Sequence, residues 1–334
     1  MYQAKINPAQ LNSVLACCPT EYVDVIIRNG VISFINYTSQ LFGCYFSECQ
    51  HTRDAASELS FRIDRKLLQT LCSPILQIEE MNQNDIKSIK ITFLDENGAV
   101  LYSDSFTQQV VFSSTYQDRL ELIQALKGNG AILDLHEVKD LIKMCKSVSG
   151  IVNFSDNAVC MEDSGLYIYK RIDTHGVEFS VLADTLWTVS SLNSKVSTIK
   201  NYVVAHEGNV YLMATKCRFS SNEFLTQLEE MKSRYIGDVN LSNVFLVYNK
   251  IKSHCDNLVI DLENNECNIP VNKNNLTITV STKNERFQGD KPKVHISATV
   301  VKLLCLNAKN GNIQLSVKKR FKEIKQGNLI IFTN

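Results

Sequence analysis

The chain has 334 residues, 44% of them apolar and 21% charged, and its 35 basic and 35 acidic side chains balance to zero. That length suits two or three domains, and the composition is that of a globular chain with a core rather than a disordered or fibrous one. Zero net charge excludes a uniformly basic nucleic-acid binder, so any such surface requires positive charge sorted onto one face.

The opening Met1–Cys18 has no basic stretch ahead of an apolar core, so no signal peptide is expected. No run reaches the roughly 18 apolar residues of a membrane span, and no membrane partner is expected. The 11 cysteines are an odd number, set mostly within apolar patterns, as at Cys17, Cys18, Cys72, Cys145 and Cys305. Buried free thiols in a reducing, cytoplasmic compartment are the expectation.

One pattern recurs along the chain: a short alternating strand, an amphipathic helix, then two or three more strands. The first unit opens with Tyr2, Ala4 and Ile6 and has a helix carrying Leu11, Val14 and Leu15. Its strands Val23–Arg28 and Val31–Tyr37 join at Asn29-Gly30, a dipeptide that tolerates positive φ and so favours a tight hairpin. The second opens with Leu59, Phe61 and Ile63. Asp64 can cap a helix carrying Leu67, Leu68 and Leu71, and strands Ile89–Leu94 and Val100–Ser105 turn at Asn97-Gly98. The third has strand Ile132–Leu135, helix Glu137–Lys146 and strands Ile151–Phe154, Ala158–Glu162 and Leu166–Arg171. The fourth has strand Val177–Val181, a helix near Ala183–Leu192 with Trp187 in the core, and strands Val196–Ala205 and Asn209–Thr215. The fifth opens at Val239–Leu241, with helix Asn243–Lys252 and strands Leu258–Leu262 and Leu276–Thr282. The sixth has strand Val294–Ile296, helix Thr299–Asn307 and strands Ile313–Lys318 and Leu329–Phe332.

The unit starts are unevenly spaced, which argues against a solenoid. Pairing the units gives an α+β chain of three domains, 1–118, 131–219 and 238–334, with charged linkers near Tyr116–Gly130 and Ser220–Gly237. Each domain is expected to lay antiparallel sheet on one side and two helices on the other.

The helices also sort their charge. Lys139, Lys143 and Lys146 share one helical face, opposite an apolar stripe of Val138, Leu141, Ile142 and Cys145. Lys302 and Lys309 are spaced likewise. Lys250 and Lys252 end the fifth helix, Arg65 and Lys66 start the second, and Lys195 ends the fourth. The first helix, Pro8–Cys18, carries no cation. A solvated lysine face is the ordinary explanation for any one helix. Its recurrence in most of the six favours a surface that tracks phosphates without reading bases.

Chemistry is harder to find. There is no phosphate-binding G-x-x-x-x-G-K-[ST] loop, dinucleotide fingerprint, C-x-x-C pair, H-E-x-x-H or nucleophile elbow. Cys44, Cys49 and His51 have the wrong spacing for a zinc site, and no enzyme, metal or cofactor is expected.

Six strand–helix–strand units in three domains, with basic helices, resemble the bacterial-type DNA polymerase sliding clamps. Three stretches carry the likeness best: Ile132–Gly150, Ala158–Arg171 and Lys216–Met231, the last with Arg218-Phe219 as in the family's second linker. His295–Val317 follows the pattern that ends the family's third domain. The departures are Ser220-Ser221 in the linker, Asp163-Ser164-Gly165 in the strand turn, and a chain end at Phe332-Thr333-Asn334 without the family's apolar and basic tail. The resemblance implies a divergent, phage-encoded processivity factor working in the host cytoplasm. Two chains would close a homodimer ring around double-stranded DNA, helices inward and sheets outward, set in place by an ATP-driven clamp loader and tethering a DNA polymerase. The cations above would face DNA, and Leu166, Tyr167 and Val247 would be the remnant of the partner pocket. The competing expectations are a clamp-like viral transcription factor, a monomeric processivity factor, and a β-rich structural protein without DNA affinity.

Overall fold

The computed structural model describes residues 1–51, 58–71, 73–83, 86–107, 117–125, 131–145, 150–155, 157–163, 166–217, 231–272, 276–287, 293–307, 311–318 and 321–333. The repeat is more regular than the sequence pattern promised, because every unit is a strand, a helix and three strands. The first is β1 (Tyr2–Lys5), α1 (Pro8–Cys17), β2 (Tyr22–Arg28), β3 (Val31–Tyr37) and β4 (Leu41–His51). The second is β5 (Leu59–Asp64), α2 (Arg65–Leu71), β6 (Ile75–Gln83), β7 (Ile86–Leu94) and β8 (Val100–Thr107), followed by α3 (Gln117–Ala125). The third is β9 (Ala131–Asp134), α4 (Lys139–Cys145, entered through a 3-10 turn at His136–Val138), β10 (Ile151–Ser155), β11 (Ala158–Asp163) and β12 (Leu166–Arg171). The fourth is β13 (Phe179–Leu182), α5 (Ala183–Leu192), β14 (Lys195–Ile199), β15 (Tyr202–Glu207) and β16 (Val210–Cys217). The fifth is β17 (Arg234–Asn240), α6 (Ser242–Ile251), β18 (Asn257–Asp261), β19 (Glu266–Val271) and β20 (Leu276–Ser281), with β21 (Lys283–Phe287) after it. The sixth is β22 (Lys293–Ser297), α7 (Ala298–Asn307), β23 (Asn312–Lys318), β24 (Phe321–Gln326) and β25 (Leu329–Thr333).

Local chemistry explains where these elements begin and end. Asn7 caps α1 by accepting from the Gln10 amide at 3.2 Å, and Pro8 occupies the first turn, where a missing N–H does no harm. The far end of α1 is closed by Asn36 of β3, which is fully buried. Its Nδ2 donates to the carbonyls of Val14, Leu15 and Cys18 at 3.1–3.2 Å, and its Oδ1 accepts from the Thr20 hydroxyl. The last carbonyls of a helix have no partner within it, and Asn36 supplies one from the neighbouring strand. Asp64 caps α2, accepting from the Leu67 amide at 2.8 Å, as expected. The Asn29-Gly30 hairpin forms with φ of 53° and 73°, pairing Arg28 with Val31.

The stretch Val196–Ala205 is not one strand. It breaks into β14 and β15 at Lys200, a non-glycine residue with φ of 44°, and doubles back to pair Ile199 with Tyr202. The same correction moves Lys195, which lies in β14 opposite Asp134 of β9 rather than at the end of α5.

Contacts divide the chain into two compact units, 1–136 with 185–216, and 137–184 with 217–334. In the first, one sheet runs β5-β2-β3-β4-β16-β15-β14-β9, and β4 leaves it at Cys49–His51 to begin a second, β4-β1-β6-β7-β8. Helix α1 packs on β3 and β4 over a core that includes Val14, Leu15, Phe34 and Tyr45. In the second unit one sheet runs β13-β10-β11-β12-β25-β24-β23-β17-β21, and a separate four-stranded sheet runs β20-β19-β18-β22. The division falls inside the stretch 131–219 because its two repeats join different sheets.

Candidate nucleic-acid interface

In the second unit, three helices carry the cations expected to face DNA. Helices α4 and α7 pack together, and Tyr248 on α6 donates its hydroxyl to the Ala298 carbonyl that opens α7, at 3.1 Å. Each buries an apolar stripe: Val138, Leu141, Ile142 and Cys145 at α4; Val244, Phe245 and Tyr248 at α6; Val300, Val301, Leu303 and Leu304 at α7. The opposite faces leave Lys143, Lys250, Lys252 and Lys302 exposed and Lys139 half-buried. Lys252 lies in the 3-10 turn after α6, one residue beyond the helix. Helix α4 contains one acid, Asp140, with Glu137 in the 3-10 turn before it, and α6 and α7 contain none. Ammonium groups on long stems over a packed helical layer can follow a phosphate backbone but carry no base-reading pattern.

The first unit differs. Helix α1 is uncharged, Lys66 is exposed on α2, and Lys195 is exposed on β14. Arg65 does not face solvent as a free cation. Its Nε donates to the Thr20 carbonyl at 2.6 Å, and its Nη1 donates to the Leu15 carbonyl and Gln69 Oε1 at 3.2 and 3.3 Å. These bonds tie the end of α1 to α2. Arg119 of α3 is likewise engaged, its guanidinium over the rings of Phe42 and Tyr202 at 5.6 and 5.5 Å. Lys146 and Lys309 lie outside the described residues.

The expected partner pocket is brought together only in part. Tyr167 lies across β12 and β25 from Phe332 and meets Phe321 edge to face at 6.2 Å. With Cys160, Tyr169, Met231 and Ile330 these rings form one apolar cluster on the longer sheet of the second unit. Leu166 is the half-buried neighbour of Tyr167, opposite Asp163. Val247, by contrast, sits on α6, which packs on β19 and β20, and has no place in this cluster.

Sequence reading missed the charged floor beside these rings. Glu323, 1% exposed, is paired through Oε1 with Lys318 at 3.2 Å and Lys325 at 3.3 Å, and the Lys318 ammonium lies 5.5 Å over the Phe332 ring. Attraction to the two cations offsets part of the cost of burying that carboxylate, whose Oε2 is buried with no hydrogen-bond partner. Among the described residues, no three His, Cys, Asp or Glu side chains gather in a way that could hold a metal.

No protein-family model matches the chain, and no curated protein does. Solved structures do. A putative DNA polymerase III beta subunit from Eubacterium rectale superposes with a TM-score of 0.70 at 9% identity, over 100% of this chain and 99% of that one. The DNA polymerase III beta chain of Streptococcus pneumoniae gives 0.67 at 12% identity, over 100% and 98%. The Helicobacter pylori beta clamp, solved with a DNA ligase peptide bound, gives 0.66 at 11% identity, over 99% and 98%. The chain has the DNA sliding-clamp fold. At 9–12% identity the likeness is one of fold. The α+β, antiparallel-sheet architecture expected from the sequence is that of these clamps. No helix is long and apolar enough to cross a membrane among the described residues.

Proposed function

We propose that the chain is a sliding clamp: two copies close a ring around double-stranded DNA and tether a DNA polymerase for processive synthesis. The observation that carries this reading is a pairing rule within the chain. The last strand of the first repeat pairs with the last strand of the fourth (β4 with β16), and the last strand of the third pairs with that of the sixth (β12 with β25), both antiparallel. That leaves the last strands of the second and fifth repeats, β8 and β20, as sheet edges among the described residues. Both edges expose large apolar side chains: Val100 at 64% and Leu101 at 53% on β8, Leu276 at 54% on β20. Open apolar edges of this kind are normally blocked or paired. If β8 of one copy pairs with β20 of another, and the reverse, a closed two-fold assembly follows with no edge of this type left over.

In this reading the domains are 1–118, 131–219 and 238–334, two repeats each. The cationic layer of α4, α6 and α7 faces the duplex, and the Tyr167–Phe321–Phe332 surface is where a client polymerase docks. Opening a closed ring around DNA falls to an ATP-driven clamp loader, and the site of action is the cytoplasm in which replication runs. The chain itself performs no chemistry. The test is solution mass by light scattering on a sizing column at moderate salt. Two chains per particle are expected, and a single chain at every concentration would overturn the ring.

A further inference from the structure

Cys17 is the last residue of α1, and Cys18 follows it in extended conformation, φ −124° and ψ 133°. Neighbouring side chains on a continuous helix diverge, and on a strand they point to opposite faces. The change from helix to extended backbone between these two residues instead brings their sulfurs to 3.5 Å. Two sulfurs bound to one centre at about 2.3 Å, with angles between roughly 95° and 110°, lie about 3.4–3.8 Å apart. A disulfide would require closure to about 2.05 Å. The native spacing is therefore the bite of a chelating dithiol.

One member of the pair is reachable: Cys17 borders open space, whereas Cys18 is 1% exposed. Cys17 is 9% exposed and lines a cleft of about 360 Å³ between α1 and α5, together with Ser13, Trp187, Thr188 and Ser191. Trp187, expected in the core, is half-buried along this cleft. Cys18 lies behind Cys17, its sulfur 3.6 Å from the Leu41 carbonyl oxygen. The hydrogen bond from Cys17 holds the Cys18 thiol below its ordinary range, helped by the guanidinium charges of Arg119 and Arg65, while the same bond and burial hold Cys17 above it. Space for the Cys17 sulfur is provided by Gly43 of β4, where an added Cβ would lie 2.6 Å from it.

We propose that Cys17 and Cys18 form a two-thiolate binding site for a soft, low-coordinate thiophilic centre, typified by a monosubstituted trivalent arsenical. Such a centre needs two sulfurs and its own organic substituent, and no cage of further ligands. The exchange is balanced without redox chemistry: two S–H bonds and one As=O bond are lost, two As–S bonds form, and the oxygen leaves as water with both thiol protons. The site is independent of the clamp reading.

The probe is phenylarsine oxide, one equivalent added to the reduced full-length protein, with intact mass measured before and after excess monothiol or dithiol. One phenylarsenic group, less two protons, is expected per chain, resisting 2-mercaptoethanol and removed by 2,3-dimercaptopropanol. Peptide mapping of the adduct on the unaltered protein should place it on Cys17 and Cys18. Cys17→Ser and Cys18→Ser should each lose it completely, while Cys255→Ser keeps it. Gly43→Ala, which displaces the Cys17 sulfur, should make the adduct labile to monothiol. No adduct on the folded protein, an adduct mapped to other cysteines, or one retained by both serine variants would overturn the proposal.

Discussion

Replacing Lys250, Lys252 and Lys302 together by alanine tests whether the helical layer of the second unit touches DNA. These residues are exposed, they follow or lie on helices that contain no acid, and none contributes to the buried stripes beneath. Each lysine that neutralises a phosphate adds about 0.9 to the slope of log affinity against log salt, so three should lower the slope by about 2.7 for each chain engaged. Between 50 and 200 mM salt, a fourfold change, that difference amounts to about 40-fold in relative affinity. Wild type and variant should therefore differ most at low salt and converge as salt rises. Fluorescence anisotropy on a labelled duplex of arbitrary sequence, titrated at several salt concentrations, measures this directly. A second, unrelated duplex should give the same change, since phosphate contacts carry no sequence information. Lys293→Ala is the control, because that residue faces Asp261 at 3.6 Å on the four-stranded sheet. A slope unchanged in the triple variant, or lowered equally by the control, would refute the assignment of these lysines to the phosphate backbone.

Three other outcomes follow from the same structure. Asn36→Ala removes two N–H donors spread over three carbonyls at the end of α1, one of which keeps its bond from Arg65, and should destabilise the fold by about 2–3 kcal/mol, at roughly 1 kcal/mol per net hydrogen bond; chemical denaturation that shifts by under about 1 kcal/mol would contradict the capping role. Leu101→Glu or Leu276→Glu places a charge on an edge strand, so either should leave a folded chain that runs as a single copy on a sizing column, whereas an unchanged assembly would clear β8 and β20 of any role in it. Asp261 accepts from the Asn264 amide and faces Lys293, and both hold its carboxyl below the usual range. A lowered folded value means stability that is present above the unfolded value near 3.9 and lost as pH falls through the folded one. Asp261→Asn should accordingly flatten the acid limb of the stability profile, and an unaltered limb would show that the turn contributes nothing there.

Much of this was legible in the sequence because the repeat repeats its chemistry. Caps such as Asp64, the Asn29-Gly30 turn and the apolar stripes of α4 and α7 announce themselves by spacing alone. What escaped had physical causes. Strand β4 is buried throughout Leu41–Tyr45, so it shows no alternation to read. Strand β6 carries Glu79-Glu80 and β19 carries Pro270, features that look like turns. Strand β24 looks solvated until Glu323 is seen between Lys318 and Lys325. The break at Lys200 has no glycine to mark it. The lysine faces were visible, but a sequence does not say which carbonyls a guanidinium will meet, and Arg65 was therefore grouped with residues that face solvent. Val247 lies on α6 over β19 and β20 of the four-stranded sheet, whereas Tyr167 is in β12 of the longer one, a separation that only the strand order reveals. The open edges β8 and β20 were equally hidden, since they are defined by what every other final strand pairs with.

Encirclement of DNA has a topological signature that contact alone lacks. Subunits mixed with nicked circular plasmid at high salt, then returned to moderate salt so that rings re-form, should be retained on the circle through gel filtration. Cutting the plasmid once with a restriction enzyme should release them, because a ring slides off a free end. Protein that stays bound equally to circular and linear DNA, or never stays on the circle, would rule out a ring around the duplex.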